Sequence, residues 1–149
     1  MAETLGSLCD KLTIVKLKQW HTQDGNRLAS LEKQELQLRE EIDEFLAGAV
    51  RGAIPADRLT FAANKVYKQE GNTVPEVVGT LGDVVSRLAH VNCTLWQDQE
   101  KVYDFQHVPA GEKDAVVKRL ALLNLERTRC IDEIDQFLRH AVVSRNGVK

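Results

Sequence analysis

The chain has 149 residues, 43% of them hydrophobic and 28% charged, with a formal net charge of −2. That composition belongs to a folded protein of one ordinary domain, spanning 1–149, rather than to a disordered one. Acids and bases interleave, so no basic face for nucleic-acid phosphates is expected, and no apolar run approaches the roughly 20 residues of a membrane span.

The first helix is expected over about 4–23, with Leu5, Leu8, Leu12 and Val15 on one stripe and Cys9 beside it. Asp24-Gly25-Asn26 reads as a turn, with Asn26 able to cap the second helix. That helix, about 27–50, presents Leu28, Leu31, Leu38, Ile42, Phe45, Leu46 and Ala49, and ends at Gly52 and Pro55. A short connecting helix over about 56–68 carries Leu59, Ala62, Ala63 and Val66, with Phe61 and Tyr67 as anchors. Thr73 and Glu76 form a capping-box pattern, so the third long helix is expected over about 74–104. The fourth, about 113–144, places Val117, Leu120, Ile131, Ile134, Leu138 and Ala141 on one stripe, widened by Val116, Leu123, Cys130 and Phe137. Strand periodicity is nearly absent.

Two segments of the chain repeat. Residues 4–24 align with 80–100 at a shift of 76, with seven identities: Thr4/Thr80, Leu5/Leu81, Gly6/Gly82, Leu12/Leu88, Val15/Val91, Trp20/Trp96 and Gln23/Gln99. Residues 27–46 align with 119–138 at a shift of 92, with nine identities ending in Glu-Ile-Asp and Phe-Leu. The unit is read as an antiparallel helical hairpin present twice (about 4–50 and 74–145, with 51–73 connecting). The expected fold is therefore an all-α four-helix bundle with pseudo-twofold symmetry. Trp20 and Trp96 are expected to pack in the core or cap the hairpin ends.

The fourth stripe breaks at Asn124 and Arg127, whose equivalents in the first copy are Glu32 and Glu35. A guanidinium in a bundle core must find an acceptor or reach water. The expectation is a buried polar layer of Glu32, Glu35, Asn124 and Arg127, with Arg127 paired to Glu35 or Glu32, that fixes helix register. Asn92 stands beside the same layer. The competing reading makes it a pocket for a small anionic ligand.

No metal or cofactor is implied. A di-iron bundle needs Glu-x-x-His pairs, and none of His21, His90, His107 or His140 has Glu three residues before it. Glu41, Asp43, Glu133 and Asp135 are read as solvated faces or local caps. Glu40-Glu41-x-x-Glu44 resembles the first half of the acidic signature of all-helical nucleotide pyrophosphohydrolases, but the Glu-x-x-Asp that should come after it is missing. Walker, GxGxxG, GxSxG and HExxH patterns are absent from the sequence. Cys9, Cys93 and Cys130 form no CxxC pair and are read as small buried hydrophobes in a reducing compartment. With no apolar core of a signal peptide near the N-terminus, a cytoplasmic location is expected.

The strings GSLCDKLTIVKLK, VNCTLW and LLNLERTRCIDEID resemble motifs of a bacterial family of small all-helical proteins of unassigned function. In that family a "GSLxDKxTIxxxK" helix precedes an "N-x-x-L-W" helix and a final "N-x-x-R" helix, and the genes often lie among glycosyltransferase and surface-polysaccharide genes. The resemblance points to Asp10, Lys11, Thr13 and Lys18, then Asn92 and Trp96, then Asn124 and Arg127. After Trp96 the chain departs, with Gln97-Asp98-Gln99-Glu100 in place of a more acidic run.

Two functions are expected. The first is that of a non-catalytic cytoplasmic interaction or accessory protein, working as a homodimer or beside a protein partner. The alternative is a binding protein or enzyme that holds a phosphate or nucleotide-sugar with Lys11, Lys18, Asn92, Asn124 and Arg127.

Overall fold

The protein is an all-α helical bundle in the computed structural model, which describes residues 2–61 and 76–145. Helix α1 spans Leu5–His21. Thr4 caps it reciprocally: its hydroxyl accepts the Ser7 N–H at 3.3 Å, and the Ser7 hydroxyl accepts the Thr4 N–H at 2.8 Å. Helix α2, Gly25–Val50, starts earlier than the sequence suggests because Asp24, not Asn26, is its cap. The Asp24 carboxylate accepts the N–H groups of Asn26 at 2.9 Å and Arg27 at 3.2 Å.

Helix α3 spans Leu81–Tyr103 and begins later than expected. Residues 76–80 are not helical; Gly79, at φ +120°, breaks the path that the Thr73/Glu76 pattern would continue. The box that forms instead joins Thr80 and Asp83, with N–H contacts of 2.9 and 3.2 Å. Thr80 is the repeat equivalent of Thr4, so the two identical Thr-Leu-Gly strings both start helices. Thr73 itself lies outside the described residues. Helix α4, Lys113–Arg145, has 33 residues, about 50 Å at 1.5 Å per residue. The connecting helix expected over 56–68 is, in its described part, a single 3₁₀ turn at Ala56–Arg58; residues 62–68, Tyr67 among them, lie outside the described residues.

Two compact units emerge, and they do not match the repeat. The first comprises 1–62 and 131–149, so the end of the second copy belongs with the first hairpin. Within it α1 and α2 pack along each other. Leu28, Leu31, Glu35, Leu38, Ile42, Phe45 and Ala49, at alternating spacings of three and four, form the more buried stripe of α2. Ala49, Leu59, Leu138 and Val142 form a sealed cluster, with Leu5, Phe45 and Ile54 packed against it. Gly6 sets the approach of α1 to α4: a Cβ there would stand 2.3 Å from the Ile131 carbonyl oxygen.

The second unit comprises 63–130. Two ion pairs join α3 to the first part of α4 in antiparallel register: Arg87 Nε donates to Glu126 at 2.8 Å, and Arg119 Nε to Asp98 at 2.6 Å. Among its described residues, Val77, Val84, Leu88, Val91, Val116, Leu125 and Cys130 are buried and apolar.

The expected α4 stripe holds in part: Val116, Cys130, Ile134 and Leu138 are buried, and Leu120 and Ile131 half-buried. Val117 and Ala141 are exposed, and Leu125 and Val142 are buried instead. Trp20 is 85% exposed on the last turn of α1, not packed as expected. Trp96 is half-buried, and its indole N–H donates to Glu100 at 2.9 Å. Cys130 is buried and Cys9 half-buried, but Cys93 is exposed, against expectation.

Candidate functional site

The densest polar arrangement in the first unit lies where α1 begins against α4. Asp135, only 4% exposed, accepts the Gly6 N–H at 2.7 Å. Its carboxylate thus occupies the free amides and positive dipole end of α1, a position suited to an anion. Burial pushes the Asp135 acid above its ordinary range, and the bonds from Gly6 and Thr4 oppose that rise. One turn earlier, burial and then the nearby Asp135 and Glu133 charges push Asp132 up to about 6. Asp10 is buried as well, and the Thr13 hydroxyl donates to its carbonyl at 2.7 Å. The half-buried Cys9 thiol is pushed up by burial, then by Asp135 and Asp10, so it is not an activated nucleophile.

A cavity of about 200 Å³ opens here, lined by Thr60, Phe61, Asp132, Asp135 and Gln136. Asp132 can take up or release a proton near neutrality, and Thr60 and Gln136 add hydrogen-bonding groups. Among the described residues no group of three or more His, Cys, Asp and Glu side chains is placed to hold a metal ion. The cavity is acidic, the opposite of the cationic pocket anticipated from sequence.

The residues expected to hold an anionic ligand are divided between the units: Lys11 and Lys18 in the first, Asn92, Asn124 and Arg127 in the second. Lys11 is ion-paired with Glu3, which also accepts from Ser7 at 2.6 Å, and Lys18 is exposed. Asn92 is buried, at 1% exposure. Asn124 is exposed and donates to the Leu120 carbonyl at 3.1 Å; Arg127 is half-buried.

The expected buried layer needs correction. Glu32 and Asn124 are exposed, and on α4 it is Leu125, next to Asn124, that is buried. Glu35 is half-buried and its carboxylate is held by Lys16 at 2.7 Å and Gln19 at 3.0 Å, contacts that hold its acid below the usual range. The second unit instead pairs a buried carboxylate, Asp98, with the exposed Arg119. The two Asp98 oxygens accept from Nε and Nη2 along one edge of the guanidinium, with Lys101 at 3.4 Å. That fork-to-fork contact holds the Asp98 acid below its ordinary range.

Sequence reasoning missed Asp98–Arg119, and it read Asp135 as solvated. Asp135 repeats Asp43, which is exposed in α2, so the repeat gave no hint that one copy is buried. Compared with known protein families, curated proteins and solved structures, the chain matches none.

Proposed function

We propose that this chain is a non-catalytic helical interaction protein, acting through contacts with another protein chain in the cytoplasm. The observation that supports this best is on the α1–α2 hairpin: Trp20 and Leu36 stand 85% and 57% exposed on long, regular helices. Large apolar side chains held in water on a rigid element are typical anchors for a partner surface. Of the cations proposed for an anionic ligand, Lys11 is engaged by Glu3, which weakens that alternative. The resemblance to bacterial proteins encoded among polysaccharide genes suggests accessory work beside a surface-polysaccharide enzyme.

A thermal-shift series with inorganic phosphate and nucleotide-sugars, run beside light scattering, tests this reading. No stabilisation by either ligand, with a mass above one chain alone or on adding the enzyme partner, is expected. Stabilisation by a nucleotide-sugar that Arg127→Met abolishes would overturn it in favour of a ligand-binding bundle. Among the described residues no helix is long and apolar enough to cross a membrane.

A further inference from the structure

Helix α2 carries a second stripe on its outer side. Ala29, Lys33, Leu36, Glu40, Asp43 and Ala47 recur at spacings of four and three, and every one of them is exposed. A stripe with that period, on a helix of 26 residues, has the spacing of the contact line of a two-helix coil. Read in reverse, it sets its alanines on each other and its cation on an anion. About a centre at position 38, Ala29 mirrors Ala47, Lys33 mirrors Asp43, and Leu36 mirrors Glu40.

We infer that this stripe is the contact face of an antiparallel, two-fold pair formed with a second copy of this chain. The inference rests on the interaction-protein reading and names the partner. A two-fold axis through position 38 sets Lys33 of each copy against Asp43 of the other, giving two opposite-charge contacts from one surface. Leu36 lies beside the axis, where its copy and the Glu40 methylenes can cover it. Alanines at both ends let the helices approach closely. Arg39 flanks the stripe and nears its own copy at the axis, a repulsion that lowers the affinity. Parallel pairing would instead oppose Lys33 to Lys33 and Asp43 to Asp43, so charge selects the antiparallel form.

The sequence repeat offers an independent argument. The shift of 92 maps Lys33, Leu36, Glu40 and Asp43 onto Leu125, Thr128, Asp132 and Asp135 of α4. Those α4 positions are buried or half-buried, whereas Ala121 and Arg139, the equivalents of Ala29 and Ala47, are exposed, so the central part of this face is a packing surface in the copied helix. In α2 it has Lys33 where α4 has Leu125, and it remains open. The opposite stripe of α2 faces α1 along most of its length, and α4 meets only its last turns through Phe45 and Ala49, so the outer stripe is left uncovered.

Sedimentation equilibrium of the full chain, across micromolar to submillimolar concentration, tests the pairing with three proteins. The unaltered chain is expected to show a reversible one-chain to two-chain equilibrium that weakens as salt rises. Lys33→Glu faces Asp43 of the other copy with a like charge, so its dissociation constant is expected to rise about tenfold or more. Adding Asp43→Lys to Lys33→Glu restores opposite charges and is expected to return most of that loss. Both substituted sites are exposed, so circular dichroism should show equal folding. A single-chain mass throughout overturns the pairing and leaves a different protein as the partner. A two-chain mass unmoved by either variant overturns this surface while the interaction reading stands. A single chain that also binds a nucleotide-sugar refutes both.

Discussion

At Gly6 a missing side chain decides how closely two helices approach. A Cβ would press on the backbone oxygen of Ile131, which cannot swing aside as a side chain could. Gly6→Ala should therefore cost about 2–3 kcal/mol in chemical denaturation. Gly82, its equivalent in the repeat, meets only the Thr80 hydroxyl at 3.8 Å. Gly82→Ala is expected to be neutral or to stabilise by about 0.5 kcal/mol, through the lower entropy of the unfolded chain. Equal losses at both sites would contradict this account of the α1–α4 contact.

Asp132 makes a second prediction at the same scale. Its folded acid sits near 6, above the ordinary value of 3.8. The folded state therefore binds the proton more tightly, and the stability this supplies is complete below pH 3.8 and is lost as pH rises through 6. Discounted for solvent screening of a half-buried group, the effect is about 1 kcal/mol. Asp132→Asn should raise the melting temperature at pH 7 and flatten its change between pH 4 and 7. An unchanged pH slope would show that Asp132 is an ordinary surface acid.

Between elements, the ion pair of Asp98 and Arg119 ties α3 to α4. Arg119→Met leaves the buried carboxylate with Lys101 at 3.4 Å, and since the guanidinium is half exposed the cost should be about 1–2 kcal/mol. Pairing it with Asp98→Leu removes the stranded charge, and the double variant should be much closer to the unaltered protein in denaturant midpoint. A double variant as unstable as the single one would mean that packing, not charge, sets the cost.

The start of α1 was legible: it is expected at about residue 4, and Thr4 caps it. The identical Thr-Leu-Gly string at Thr80 also starts a helix, although the start of α3 is expected near 74. At two other starts local geometry chose a different cap. Asp24 took the capping role from Asn26, and Gly79 put the start of α3 at Thr80 instead of near Thr73. On α4, Ile134 and Leu138 are buried as expected, but apolar side chains occur around much of that helix, so several stripes fit its period and the ends and middle were misplaced. Leu125 is buried where Asn124 was expected to be, which leaves Asn124 in water and out of a buried layer.

At the scale of the molecule, the helical period and the absence of alternation made the all-α class readable from the chain. The division into two compact units was not. Helix α4 runs unbroken through residues 130 and 131, where the units divide, and a continuous helix leaves no mark of such a boundary in sequence. The acidic cavity was equally hidden, since Asp132 and Asp135 carry the same pattern as exposed Glu40 and Asp43. What singles out α2 is its outer stripe, whose charges are arranged to meet themselves in reverse.

The most direct measurement replaces one residue beside the proposed axis. Gln37→Cys, in a chain whose exposed Cys93 is replaced by Ser, oxidised at a concentration where the pair forms and mapped by mass spectrometry, should yield a chain pair linked through position 37 of each copy. The same treatment of Gln34→Cys, on the exposed flank away from the axis, should yield none. A covalent pair through position 37 alone is the result this account predicts. Linkage at neither site, or equally at both, would contradict it.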